Sequence, residues 1–313
     1  MKKLFRVPLL GGALTLFILA SGVSVAHATH AWGTYHWGHT TTDTEWFTLP
    51  IGDNTTGAWR DILVAAINDW AAQNGNDVSI TGTAVASPWT EKEVMPARIA
   101  GTAGSQCKAV QGTTQVCNKK YGYNGWLGLA QIWVSGSHIT QGTAKVNDSY
   151  FSLTKYNTVN EKRHVMCQEV AHTFGLGHQS ENDSSLHTCM DYFSNTEANE
   201  EKTQSTVPNY HDYEQLSLIY NAHTDSSSTV ATIANALATQ ADANPSDDDN
   251  QRLWGRLLSQ SENGRSSVYE QTVEHGIKII RHVRWTEETA AKCPVCDHRF
   301  PVSYTHLTLP TKA

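Results

Sequence analysis

The chain has 313 residues, with 23 Lys and Arg against 30 Asp and Glu, a net charge of −7. Apolar residues make up 39% and charged residues 17%. The acidic balance excludes a binder of nucleic-acid backbone, which needs a basic face. The low charge content excludes a solvated, disordered acidic chain, so a polar but uncharged surface over a real core is expected.

The elements begin with an export signal. Lys2, Lys3 and Arg6 precede an apolar run from Leu9 to Ala20, and Ala26-His27-Ala28 has the small-x-small form of a cleavage site. The run is short for a membrane span and is broken by Gly11 and Gly12. A secreted protein with no membrane attachment after cleavage is expected. Losing residues 1–28 leaves 20 basic against 30 acidic residues. In an oxidising compartment the six cysteines read as disulfides. They allow about 15 pairings, and Cys107–Cys117, closing a short Gly/Thr/Gln loop, is the favoured local one.

Glu45 to Pro50 reads as a strand. Trp59, Ile62, Leu63, Ala66, Ile67 and Trp70 fall on one face of a helix, with Thr55 or Thr56 as its cap and Gly75 as its end. Val78 to Thr81 reads as a strand. Trp126 to Val134 and His138 to Val146 read as two strands joined by a Ser135-Gly136-Ser137 turn. A second helix is expected from Glu161 to Phe174 and a third from Asp212 to Ala222. Residues 225–251 read as a linker, and 252–286 as a small hairpin containing Ser267 to Tyr269 and Ile277 to Trp285.

The chemistry is concentrated between Cys167 and Tyr192. On a helix, positions 168 and 172 share a face, and Glu169 lies one step round, within reach of a water held by a metal there. Gly175 can adopt the left-handed conformation that ends a helix, so the chain can turn and bring back His178. Thr188-Cys-Met-Asp-Tyr192 follows. With Glu169, His172, Gly175 and His178 in H-E-x-x-H-x-x-G-x-x-H spacing and Met190 in a following turn, residues 44–223 resemble the metzincin clan of zinc endopeptidases, nearest to secreted bacterial matrixin-like enzymes.

The resemblance implies an α+β fold. A twisted mixed sheet would carry an active-site helix, a backing helix and a C-terminal helix after the Met-turn, all within residues 29–224. It implies one catalytic Zn²⁺ and a peptide or protein substrate. It also implies Glu169 as general base, Met190 as a packing floor, and Tyr192 near the metal or the oxyanion, with a buried packing tyrosine as the alternative. Cys167 adjoins Gln168 and Cys189 adjoins Met190, so a bond between the two cysteines would tie the helix to the Met-turn.

The chain departs from the pattern at its first ligand, where Gln168 stands in place of His. Zinc prefers imidazole, thiolate and carboxylate donors. Three readings are open. Gln168 ligates through its amide oxygen beside His172 and His178; or Gln168 only holds a water and the site is a two-His remnant; or another His completes the set. His164 shares the helix face, but lies about 12 Å from His172 along the axis. His36 and His39 can bind metal, although solvated or hydrogen-bonded histidines on a Trp-flanked strand are the simpler reading. His187 reads as an ordinary loop histidine. Residues 138–148 are expected to form the edge strand that pairs with an extended peptide.

Calcium is not supported, because the acidic residues at 181–201 lack EF-hand spacing. No cysteine-containing inhibitory pro-segment precedes the first strand, and a monomer is expected. Cys293-Pro-Val-Cys296 is half of a zinc knuckle without a second pair, and a local disulfide or two thiols fits as well. Ser303 to Ala313 looks like translated adapter sequence, to be kept out of fold reasoning. The expected function is a secreted zinc-dependent metalloendopeptidase. The alternative is a catalytically weak or inactive binding protein on the same fold, because of Gln168.

Overall fold

The computed structural model describes residues 30–38, 49–71, 96–97, 107–180, 185–191, 205–220, 225–226, 250–273 and 276–300. Residues 1–28, the strand expected at Val78 to Thr81, His39, Tyr192, most of the linker and the stretch from Ser303 lie outside the described residues.

The strands are β1 (His36–Trp37), β2 (Ile51–Asn54), β3 (Pro96–Ala97), β4 (Thr114–Lys119), β5 (Trp126–Ser135), β6 (His138–Asn147), β7 (Arg256–Gln260), β8 (Ser266–Thr272) and β9 (Lys278–Trp285). They form one mixed sheet in the order β3-β2-β4-β6-β5-β9-β8-β7, with β1 pairing the start of β6. The β3, β2, β4 and β6 neighbours are parallel, and every pair from β6 to β7 is antiparallel. The helices are α1 (Trp59–Ala71), α2 (Asp148–Phe151), α3 (Val159–His172), α4 (Tyr210–Tyr220) and α5 (Glu287–Lys292). The architecture is mixed α+β.

Helix α1 forms where the apolar spacing placed it, and Trp59, Ile62, Leu63, Ala66, Ile67 and Trp70 are buried. Trp70 reaches across to α3 and donates its indole N–H to Cys167 O at 3.1 Å. Helix α3 starts at a Thr158 cap whose hydroxyl accepts from Glu161 N. It therefore begins two residues before the expected start, and it ends at His172 rather than Phe174. Residues 45–48 of the strand expected at Glu45 to Pro50 lie outside the described residues; Leu49 and Pro50 lead into β2, which begins at Ile51.

Two expectations about the sheet are corrected. Strand β6 is not an edge: it lies between β4 and β5. The expected small hairpin at 252–286 continues the same sheet as β7, β8 and β9. A β5–β6 hairpin offers two free edges, and each is covered by a different strand: β4 pairs parallel along β6 from Thr114↔Gly142 to Lys119↔Asn147, and β9 pairs antiparallel along β5 from Val134↔Lys278 to Trp126↔Trp285.

Strand β9 alternates between two buried environments, as a strand inside a sheet must. Val283 and Trp285 pack with Trp126, Leu129, Trp254 and Tyr269. Ile280 joins the main core with α1 and α3. His282 and Arg284 share the Ile280 face.

Disulfides join Cys107 to Cys117, Cys167 to Cys189, and Cys293 to Cys296. They are consistent with an oxidising, extracellular setting. Among the described residues, no helix is long and apolar enough to cross a membrane. The Cys167–Cys189 bond spans a sequence separation of 22 and restricts the unfolded chain accordingly. Replacing both cysteines with Ala is expected to lower unfolding free energy by about 3 kcal/mol, read as a lower urea midpoint. An unchanged midpoint would show that the bond adds nothing to stability.

Candidate metal centre

Helix α3 is sealed in the core, and Gln168, Glu169 and His172 are all fully buried. The helix stops because Gly175 takes φ +92°, a conformation that glycine adopts without strain. A Cβ there would also lie 2.2 Å from Tyr35 O. The bare backbone lets the segment before β1 dock, with Trp32 N donating to Gly175 O at 2.6 Å and Gly177 N donating to His30 O. The chain then turns so that His178 faces His172, with ring centroids 4.8 Å apart.

The third imidazole comes from β9. His282 lies 3.7 Å from His172 and 4.6 Å from His178 by ring centroids. One nitrogen from each of His172, His178 and His282 falls within 4.8 Å of the others. Hydrogen bonds decide which nitrogen is available. His172 Nδ1 is 2.7 Å from Leu176 O. A carbonyl only accepts, so Nδ1 carries the proton and Nε2 keeps its lone pair. His282 Nε2 bonds Ser266 Oγ at 2.7 Å, which leaves Nδ1 toward the cluster. His172 Nε2 and His282 Nδ1 are buried with no hydrogen-bond partner. Orphaned imidazole nitrogens are rare in a folded core, and three imidazoles that converge form a group that could hold a metal ion.

Gln168 does something else. Its amide N–H groups donate to Cys189 O at 2.9 Å and Asp191 O at 3.2 Å. Its Oε1 accepts from Arg284 Nη1 at 3.1 Å. Both ends of the amide are thereby committed to holding the 189–191 turn and β9, and the imidazole group forms without it. His164 is no substitute: its Nδ1 is bonded to Ser205 O, and it stands outside the three-imidazole group.

Glu169 projects toward β5. Its Oε2 lies 3.8 Å from His282 Nδ1, and a Cβ on Gly128 would sit 2.4 Å from its Oε1. Burial pushes the Glu169 carboxyl well above the usual range, with Arg284 pulling the other way. Burial likewise pushes His172 down to about 3 and His178 and His282 well below the ordinary imidazole value, and their mutual proximity adds to this for the latter two. Burial lowers Arg284 to about 10. The imidazoles are thus neutral, as ligands must be.

Met190 is fully buried in the main core. The turn that carries it is stitched to the motif by Gln179 N donating to Met190 O at 2.9 Å and by a Ser180↔Asp191 bridge. His187 is exposed. Sequence reasoning missed His282. The available signal was a strand, Lys278 to Trp285, that is apolar enough to be buried yet carries His282 and Arg284 on one face. No protein-family model, curated protein or solved structure matches the chain.

Gly128→Ala tests the placement of Glu169. The added methyl has no room beside the carboxylate, so the variant is expected to displace Glu169 while the three imidazoles stay in place. Zinc content should be unchanged, and any Glu169-dependent hydrolysis should fall at least about tenfold. Loss of zinc instead would place the damage in the ligand set.

Proposed function

We propose that the chain is an exported zinc endopeptidase of metzincin type, with His172, His178 and His282 as zinc ligands and Glu169 as general base. The observation that carries this reading is the convergence of three neutral imidazoles beside a buried carboxylate. The motif spacing and the Met190 turn support it. His172, His178 and His282 would hold the ion, which when bound would supply Lewis-acid chemistry: acidification of a water and polarisation of a peptide carbonyl.

Glu169 takes the proton and returns it to the leaving amine. Burial raises its affinity for that proton and is the larger effect, and nearby Arg284 opposes it. Trp32 and His178 are the part-exposed side of the site, and substrate approaches there. Trp32 walls this side, 5.6 Å from His172 and 6.1 Å from His282 between ring centroids.

A second reading has its own observation. A peptide pairing with the outer edge of β5 would need the place that β9 holds. With that edge filled and Glu169 fully buried, the site also fits a non-catalytic protein stapled by zinc. One experiment separates the two. Zinc content and cleavage of an unfolded protein substrate are measured for the mature chain, with and without chelator, beside Glu169→Gln. The peptidase reading predicts cleavage that stops with chelator and falls at least about 100-fold in Glu169→Gln, with zinc retained. Bound zinc without cleavage, or cleavage indifferent to Glu169, overturns it and leaves the staple.

A further inference from the structure

On the far side of Gly175, a second group of metal-binding side chains forms from three separate segments. His36 on β1 and His138 on β6 are direct partners in the parallel β1–β6 pairing. Paired residues project to the same face, and their rings lie 4.8 Å apart. Asp225, from the chain beyond α4, closes the group. Its Oδ1 is 2.8 Å from His138 Nε2 and its Oδ2 is 3.6 Å from His36 Nε2. The three side chains are 5 to 15% exposed, enough shielding to favour ligation and enough opening for a water.

We propose that His36, His138 and Asp225 form a second divalent-metal site, suited to zinc, that staples the N-terminal strand to β6 and to the segment after α4. The geometry carries the argument. Zinc–nitrogen and zinc–oxygen bonds of about 2.0–2.2 Å in a tetrahedron put neighbouring donors about 3.3–3.6 Å apart. The His36 Nε2–Asp225 Oδ2 separation of 3.6 Å matches that edge, the His138–Asp225 hydrogen bond of 2.8 Å has only to lengthen, and one donor atom from each of the three residues lies within 4.8 Å of the others.

The tautomer of His36 points the same way. Its Nδ1 lies 2.9 Å from Thr34 O, so Nδ1 carries a proton and neutral His36 presents the Nε2 lone pair to a carboxylate. Two lone pairs face each other there unless a proton or a metal ion lies between them. The backbone carbonyl on Nδ1 is the usual outer partner of a metal-ligating histidine. A metal takes the place of the proton that His138 otherwise shares with Asp225, and water completes the coordination. The staple would fix the segment from His30 to Trp37, which carries Trp32 onto the three-imidazole site. It uses none of that site's ligands.

The test is zinc stoichiometry of the mature chain by equilibrium dialysis against zinc alone. Wild type is expected to bind two ions, His138→Ala one, His172→Ala one and the double variant none. If the three-imidazole site does not bind zinc, wild type binds one ion, His172→Ala keeps it and His138→Ala loses it, which still supports this site. Substituting Asp225→His offers a third imidazole and should retain the ion, which guards against a His138→Ala variant that merely misfolds. Cobalt in the His172→Ala background should give a tetrahedral visible spectrum that Asp225→Asn weakens. Stoichiometry unaffected by His138→Ala, with Asp225→Asn leaving the cobalt spectrum unchanged, overturns the proposal and leaves His36 as a protonated partner of Asp225.

Discussion

The pairing of β9 with β5 is the constraint on which the centre of the molecule depends. It buries seven of the eight residues of β9, all but Lys278, between β5 and β8 and fixes which of them face α3. The two-residue period of a strand then delivers His282 and Arg284 together to that helix. His282 meets His172 and His178, and Arg284 meets Gln168. A buried guanidinium is costly unless its N–H groups find acceptors and its charge a counter-charge. The Gln168 oxygen accepts from Nη1 alone, Nε and Nη2 being buried without an acceptor, and Glu161, Glu169 and Glu287 contribute to the counter-charge. A shift of one residue in register would turn both groups to the opposite face, among Trp254, Tyr269 and Trp285.

Gln168 makes sense within that arrangement. An amide both donates and accepts, so one side chain can hold two backbone carbonyls of the 189–191 turn and the Arg284 guanidinium at once. A histidine in its place could not make all three bonds. The position therefore acts as a bracket between helix, turn and β9, and the third imidazole of the buried group is His282 on β9. The Cys167–Cys189 bond runs beside the bracket and ties the same helix to the same turn.

Much of the fold was legible because its elements have local causes. The apolar face from Trp59 to Trp70 predicted α1, and two strand-like runs either side of the Ser135-Gly136-Ser137 turn predicted β5 and β6. The motif also put Glu169, His172 and His178 in one neighbourhood, since helix pitch and a glycine stop are local physics. His282 was not legible as a ligand. It is distant along the chain, and only a long-range strand pairing brings it near. The misreading of β6 as the substrate edge has the same origin, because local pattern does not say which edge of a hairpin another strand will cover. His36 was noted as a metal-binding residue type, but its partners His138 and Asp225 also depend on tertiary pairing.

The central claim is that His282, and not Gln168, completes the metal-binding set. Zinc affinity measured for His282→Ala and Gln168→Ala, each in the His138→Ala background, tests it directly. The structure predicts that His282→Ala weakens binding by at least about 100-fold, the upper range for loss of even an outer-shell partner, whereas Gln168→Ala stays within about tenfold of its parent. A large loss in Gln168→Ala with little change in His282→Ala would contradict the account and return the glutamine amide to the coordination sphere.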